Sequence, residues 1–554
     1  MSDSAIAALD ALIAPFNRSD APGLVLGINR HGRPLYRRGV GLASIELGVA
    51  NTPRTRMRIA STSKHFTALA VLLLAEDGRL SIDDEVQRLL PELPRIGAGG
   101  PTLRQLMNHT GGWRGHDELW VLANGFVPQP SGGSLPMMAR QRALNSDPGT
   151  RMIYSNGGYR LLALTIERLS GMAFAEFLRT RLFEPLGMLD TESVAGDLDV
   201  RPGMAGLYLP DLGAKGKWKR GVYPCEFEGS GSLVSTLDDM LAWLAHMRAP
   251  RVGSAASWEQ MLAPTTLASG EVLPYGGGLV RHPYRGIEVI HHNGAVLGGS
   301  SQMITVPEHG LDLMVIANGA PVAPAQLAFQ CIDLLLGDAV LQPVPPARAA
   351  AADYPGLVGQ RYHGAETGHV IGFAAAGDRL GLSWLGSAPV PLRQRAGGLW
   401  LDFLDLAQNG LDIDLEGVDT AQPPPTLTLR EAGRLQRLQR LPDPPPKAAE
   451  LAAALCGAYR CPDLDASAQL ECDAGGSLLL QIRGTHGRST GRLTPLSDAV
   501  LSIVSADPLV AALGASSLIN IERGSDGQVT ALRYDSTRTR GLRFVRDAGE
   551  ETTA

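Results

Sequence analysis

The sequence predicts a multidomain α+β protein. Its first part is an antiparallel sheet flanked by helices plus an all-helical region, and two small antiparallel β-barrel domains follow. Three observations lead there. Strand-like runs stand near both ends of the first 340 residues, with helical periods between them. Two proline-rich breaks come next, at 341–353 and 441–447. Beyond each break there are only short alternating runs separated by Gly, Asp and Pro turns.

Taken in order, the chain opens on an amphipathic helix with Ile6, Leu9, Leu12 and Ile13 on one face. Residues 24–29 read as a strand, and 66–76 as a helix apolar on all sides, hence buried. Residues 159–169 and 238–246 read as amphipathic helices, the second with an N-cap signal at Thr236 and Asp239. Residues 287–291 and 311–317 return to strand character. Early and late strands around a helical middle imply a sheet closed by distant segments.

Proline fixes φ and removes a donor, so the breaks mark linkers. The expected divisions are a first domain over 1–340, a linker at 341–353, and a β-barrel over 354–443. A linker at 444–449 and a second barrel over 450–548 complete the chain. Both later segments begin alike, Leu-Val-Gly-Gln-Arg-Tyr362 against Leu-Cys-Gly-Ala-Tyr459, and both close on basic strands, 434–440 and 538–544. A weak repeat of the two barrels follows.

Composition excludes several functions. Of 554 residues 44% are hydrophobic and 19% charged, with net charge −6 and no block of like charge. Nucleic acid and anionic membrane are therefore not expected partners. The first twenty residues show neither signal peptide nor spanning segment. The cysteines, at 225, 331, 456, 461 and 472, are odd in number and irregular in spacing. That argues against a disulfide framework or a metal site and fits a reducing cytoplasm.

Three motifs carry chemistry. Ser61 lies three residues before Lys64 at the head of the apolar helix, which puts both on one face of its first turn. A helix start would leave the Ser61 N–H unpaired, and an apolar setting would lower Lys64 toward a proton acceptor. Taken alone, the pair is equally compatible with a capping serine and a snorkelling lysine. Lysine is scarce, however: only five occur in the chain. Tyr154 and Asn156 follow on a turn-rich loop before the 159–169 helix, a phenol to move protons and an amide to hold a substrate amide. His292 and Gly294 close the set at the end of the 287–291 strand. There glycine allows close backbone approach, and the Ala295 N–H is available to an oxyanion. Strand alternation sends His291 and His292 to opposite faces, and the glycine two residues on selects His292.

The order Ser-x-x-Lys, Tyr-x-Asn, His-x-Gly resembles the penicillin-recognising serine hydrolases over residues 20–335. That group includes class C β-lactamases, carboxypeptidases, esterases and D-aminopeptidases. Residues 106–112 and 233–239 are secondary matches to it. The resemblance implies an acyl-enzyme on Ser61, with Lys64, Tyr154 and His292 as catalytic residues. Asn156, Gly294, Ala295 and Thr490 would bind substrate, and no metal or other cofactor is required.

A histidine where lysine is usual, and two trailing β domains, resemble the D-stereospecific aminopeptidase branch. The substrates implied are short peptides, amides or esters with a D-alanine-like residue. A loop at 484–495, carrying Thr490 between Arg488 and Arg492, either approaches the active site, as the resemblance implies, or is a plain hairpin between strands. The rivals are an esterase or amidase without a free-amine requirement, and a catalytically weak binder of peptidoglycan fragments. A homodimer is implied by resemblance only.

Overall fold

A computed structural model describes residues 3–97, 99–343, 348–385, 387–401, 411–431, 434–508, 511 and 517–547. Residues 344–347 of the first proline-rich break and residue 548 lie outside these.

The first and last strand runs do pair. Leu24–Arg30 lies antiparallel to Leu311–Ala317, from Leu24 opposite Ala317 to Arg30 opposite Leu311. The six-stranded sheet runs in the order Val280–Tyr284, Ile287–Val296, Gly299–Val306, Leu311–Ala317, Leu24–Arg30, Arg33–Val40. Both faces are covered, so its strands are apolar on both sides. On one face the helices Asp3–Ile13 and Pro324–Leu336 bury Leu9, Ile13 and Ile332 against Leu24, Leu26 and Ile28.

The other face carries Leu237–Arg248 and, beside it, Lys64–Glu76. Thr236 caps the first of these, accepting the Asp239 N–H at 3.3 Å. Gly27 on the sheet is required by this packing: a Cβ there would stand 2.6 Å from Leu237. Lys64–Glu76 is buried at every position from Lys64 to Leu74, as expected of a helix apolar all round.

Two β units follow. Nine strands form a sheet whose end strands, Val390–Pro391 and Arg393–Arg395, are neighbours in sequence. Single bridges from Arg348 to Arg393 and from Ala350 to Arg379 bring its edges together, so it is nearly closed. The last eight strands, Gly457–Cys461 through Leu542–Arg546, form a closed barrel. In both units the first strand pairs with the closing basic strand, Tyr362 opposite Arg440 and Tyr459 opposite Arg546.

One element departs from the sequence reading. Ala448–Leu455 is a helix rather than the tail of a linker, and it sends Leu451 and Leu455 into the barrel core. Its alanine-rich sequence has high helix propensity, and two buried leucines anchor it. All five cysteines are free thiols. Among the described residues no helix is long and apolar enough to cross a membrane.

Candidate active site

Ser61 sits in a 3₁₀ turn, Ala60–Ser63, that runs directly into the Lys64–Glu76 helix. The turn is tightly held. The Ile59 N–H donates to Leu233 O at 3.1 Å, and the Leu233 N–H donates to Ser63 Oγ at 3.1 Å. The 233–239 match therefore supplies a strand that holds the turn carrying Ser61. Ser301 Oγ donates to Ile59 O at 2.7 Å and lies 2.9 Å from Thr62 Oγ1. Ala60, just before Ser61, is held at φ +49, a conformation a non-glycine residue adopts only when its surroundings impose it.

Lys64 is 0% exposed. Its Nζ lies 3.0 Å from Ser61 Oγ, 2.9 Å from Asn156 Oδ1 and 2.7 Å from Ser230 O. Burial pushes it well below the usual lysine value, and the Arg538 charge adds to that, against the carboxylate of Asp117. All three partners are oxygens that can accept from the amine.

Asn156 opens the Asn156–Ser170 helix, capped by Ser155, whose Oγ accepts the Gly158 N–H at 3.1 Å. Its Nδ2 donates to Asp117 Oδ2 at 2.7 Å, and the Tyr223 hydroxyl donates to the same oxygen at 2.8 Å. Tyr154 lies immediately before this cap, its ring centroid 4.8 Å from Lys64 Nζ. Burial lifts its phenol to about 12, with the Arg538 charge and a hydrogen bond with Ser61 pulling the other way.

His292 and His291 face opposite sides of the sheet, as alternation requires. His291 turns toward His282, 2.9 Å away, and Phe329. His292 comes beside Tyr154, with ring centroids 6.5 Å apart. Its Nε2 is not aimed at the serine; it lies 3.1 Å from the Tyr275 hydroxyl, which lies 3.1 Å from His109 Nε2.

The direction of this chain can be derived. The Ser155 N–H donates to His109 Nδ1 at 3.1 Å, so the His109 proton is on Nε2. That nitrogen donates to Tyr275, and Tyr275 donates to His292 Nε2. His292 Nδ1–H then donates to Asn293 O at 2.5 Å. Burial first, then the Lys64 charge, lowers His292 to about 3, so it is neutral.

Gly294 answers a steric demand. A Cβ there would stand 2.1 Å from Ile59 O and 2.6 Å from Ser301 Oγ. Ala295, the next residue, is exposed, whereas Ser61 is half-buried.

Thr490 lies in a barrel strand. The strands Leu478–Arg483 and Arg488–Pro495 stay paired up to Arg483 and Arg488, which leaves four residues for the turn. That turn packs on the His116–Asn124 helix: the Gly484 N–H donates to Ala123 O at 2.9 Å. Arg488 and Arg492 are exposed, and Thr490 lines a cavity of about 130 Å³ with Asp117, Glu118, Tyr223 and Tyr534.

The barrel meets Tyr154 through a different turn, at 536–541. Arg538 Cζ lies 4.8 Å from the Tyr154 ring centroid. Asn145 clamps this turn twice, donating to Arg538 O at 2.6 Å and accepting the Arg540 N–H at 2.7 Å. Thr539 donates to Glu118 at 2.8 Å, and the buried Arg114 donates to Arg540 O at 3.0 Å. Burial raises the Glu118 carboxyl to about 7, with the Arg538 charge opposing.

Asp117, Glu118, Tyr275, His109 and Arg538 are the site residues that sequence reasoning missed. His109 lay within the 106–112 match and Arg538 within the closing basic strand, but no local spacing marks either as part of the site.

Residues 9–336 match the Beta-lactamase family. The D-aminopeptidase of Brucella ovis is 28% identical over 482 residues, 84% of this chain and 84% of that one. The D-aminopeptidase of Gluconobacter oxydans is 30% identical over 340 residues, 59% of this chain and 62% of that one. In fold, the octameric penicillin-binding protein homologue from Pyrococcus abyssi gives a TM-score of 0.55 at 23% identity, over 78% of this chain and 100% of that chain.

Proposed function

The chain belongs to the Beta-lactamase family, and on that premise we propose that it is a serine hydrolase that forms an acyl-enzyme on Ser61. Its substrates are short peptides, amides or esters with an N-terminal, D-alanine-like D-residue. The observation that carries the reading is the fully buried Lys64 amine 3.0 Å from Ser61 Oγ.

In this reading neutral Lys64 takes the Ser61 proton as Oγ attacks the carbonyl. The N–H groups of Ser61 and Ala295 hold the oxyanion, with Gly294 allowing the close approach. Tyr154 passes the proton to the leaving group, and water then frees the acyl group along the reverse path. Asn156, which keeps one Nδ2 hydrogen beyond its bond to Asp117, orients the acyl amide. His292 acts as a neutral support through Tyr275. The D-residue preference rests on the D-aminopeptidase relatives. Asp117, bonded to Asn156 and in one cavity with Thr490, is the acidic group offered to a free amine. A cytoplasmic homodimer belongs to the same reading, and light scattering of the purified chain tests the assembly.

The test is intact-mass analysis after a rapid quench with an activated D-alanyl ester. A D-alanyl adduct on Ser61, absent in Ser61→Ala, is expected. A protein that binds without acquiring the adduct is a binder of peptidoglycan fragments instead.

Arg538 favours a second reading, an esterase or amidase indifferent to the amine, because its charge repels an ammonium close to Tyr154. Comparing kcat/KM for D-alanine p-nitroanilide with its N-acetylated form separates the two. A strong loss on acetylation supports the aminopeptidase, and equal rates support the amidase.

A further inference from the structure

We propose that Arg538 is a specificity-determining residue that binds a carboxylate of the substrate on the leaving-group side of Ser61. The preferred substrates are then short D-peptides ending in a free carboxylate. This inference rests on the hydrolase reading above and deepens it.

The first argument is unspent hydrogen-bonding capacity. A guanidinium carries five N–H donors in a planar fork suited to a carboxylate. Among the described residues the Arg538 guanidinium makes no hydrogen bond. Its nearest carboxylate oxygen, Glu118 Oε1, is 3.8 Å from Nε, beyond hydrogen-bond reach. The other Glu118 oxygen is taken by the hydroxyls of Thr539 at 2.8 Å and Ser536 at 3.4 Å. Side-chain exposure of 37% leaves the fork open to an incoming ligand.

Position is the second argument. Arg538 Cζ and Lys64 Nζ each lie 4.8 Å from the centroid of the Tyr154 ring. Tyr154 is the group that hands its proton to the departing half of the substrate. Asn156, the candidate for the acyl amide, is bonded to Lys64 and to Asp117, whereas Arg538 stands on the side of Tyr154 and Glu118. A charge on the departing half therefore meets Arg538.

Rigidity is the third. The turn that carries Arg538 is fixed at both ends: by Asn145 on Arg538 O and Arg540 N, by Arg114 on Arg540 O, and by Asp535 on the Gly541 N–H at 2.9 Å. Such pinning lowers the ordering cost of binding, and a permanently charged guanidinium needs no protonation to bind.

The test compares D-alanyl-D-alanine with its C-terminal amide in the full-length protein. The native enzyme is expected to favour the free acid by about ten- to a hundredfold in kcat/KM, the range of one charge-assisted, bidentate contact. In Arg538→Gln that preference falls to about one, and the rise in KM for the acid carries the change. The double variant Arg538→Gln/Glu118→Gln, which leaves no unpaired carboxylate, gives the same result if the single one folds poorly. Binding of both peptides to Ser61→Ala, followed by calorimetry, reads the same preference without turnover, so failure of the hydrolase reading is seen separately. The proposal is overturned by equal affinity for acid and amide. It is equally overturned if Arg538→Gln keeps the native preference for the acid over the amide, which would mean that Arg538 acts only through Tyr154 and Lys64.

Discussion

Lys64 Nζ lies 3.0 Å from Ser61 Oγ, and its two other hydrogen-bond partners, Asn156 Oδ1 and Ser230 O, are both acceptors. An amine enclosed in this way suits the proposed role of taking the serine proton. Lys64→Met, of similar length but without the amine, is expected to lower kcat by about a thousandfold or more. The two acceptors left unpaired cost about 1–3 kcal/mol each at most. Steady-state kinetics and urea unfolding check both numbers, and near-native turnover would remove Lys64 as the base.

The same relationship sets a pH dependence. Because burial lowers Lys64 in the folded protein, its neutral, active form is gained as pH rises through that lowered value. The acid limb of kcat/KM should therefore lie well below the ordinary lysine range. Removing the Arg538 charge, which contributes to the lowering, should move that limb upward in Arg538→Gln. A pH–rate profile from 5 to 10 reads the shift, and an unmoved limb would contradict it.

Glu118 predicts a stability effect of definite sign. Its carboxyl titrates near 7 folded, against 4.5 for the free group, so between these values the folded state holds more protons than the unfolded. Stability from this group is full below about pH 4.5 and is lost as pH rises through about 7. The change amounts to about 2–3 kcal/mol. Urea unfolding at pH 5, 6 and 7 should show a decline in the native protein that is smaller in Glu118→Gln by that amount.

Gly294→Ala tests the seating of the nucleophile. The added methyl meets Ile59 O and Ser301 Oγ, so the 59–61 segment must move. We expect kcat to fall by about a hundredfold or more and stability by about 1–3 kcal/mol. A variant with unchanged kcat would show that the turn tolerates displacement.

Tyr275→Phe breaks the chain between two buried histidines and leaves one Nε2 donor and one Nε2 acceptor unpaired. Stability should drop by about 1–3 kcal/mol. Thermal unfolding measures it, and an unchanged midpoint would mean that the chain contributes nothing.

What the sequence determined was local. Apolar periodicity revealed the buried helix behind Ser61, and alternation separated His291 from His292, because both follow from the geometry of one element. The three motifs could be ordered along the chain since each lies within a few residues. The helix at 448–455 was also within reach of propensity and was overlooked among the prolines before it. Tertiary structure alone decided the rest. Arg538 approaches Tyr154 on a turn whose clamp, Asn145, lies 393 residues away. Asp117 and Glu118 join the site because the closed barrel docks on their helix. The register of two strands leaves Thr490 on the barrel wall. Local spacing encodes none of these contacts: they depend on how the closed barrel sits against the helices and loops of the first domain, which is set by packing over the whole interface rather than by any short run of residues.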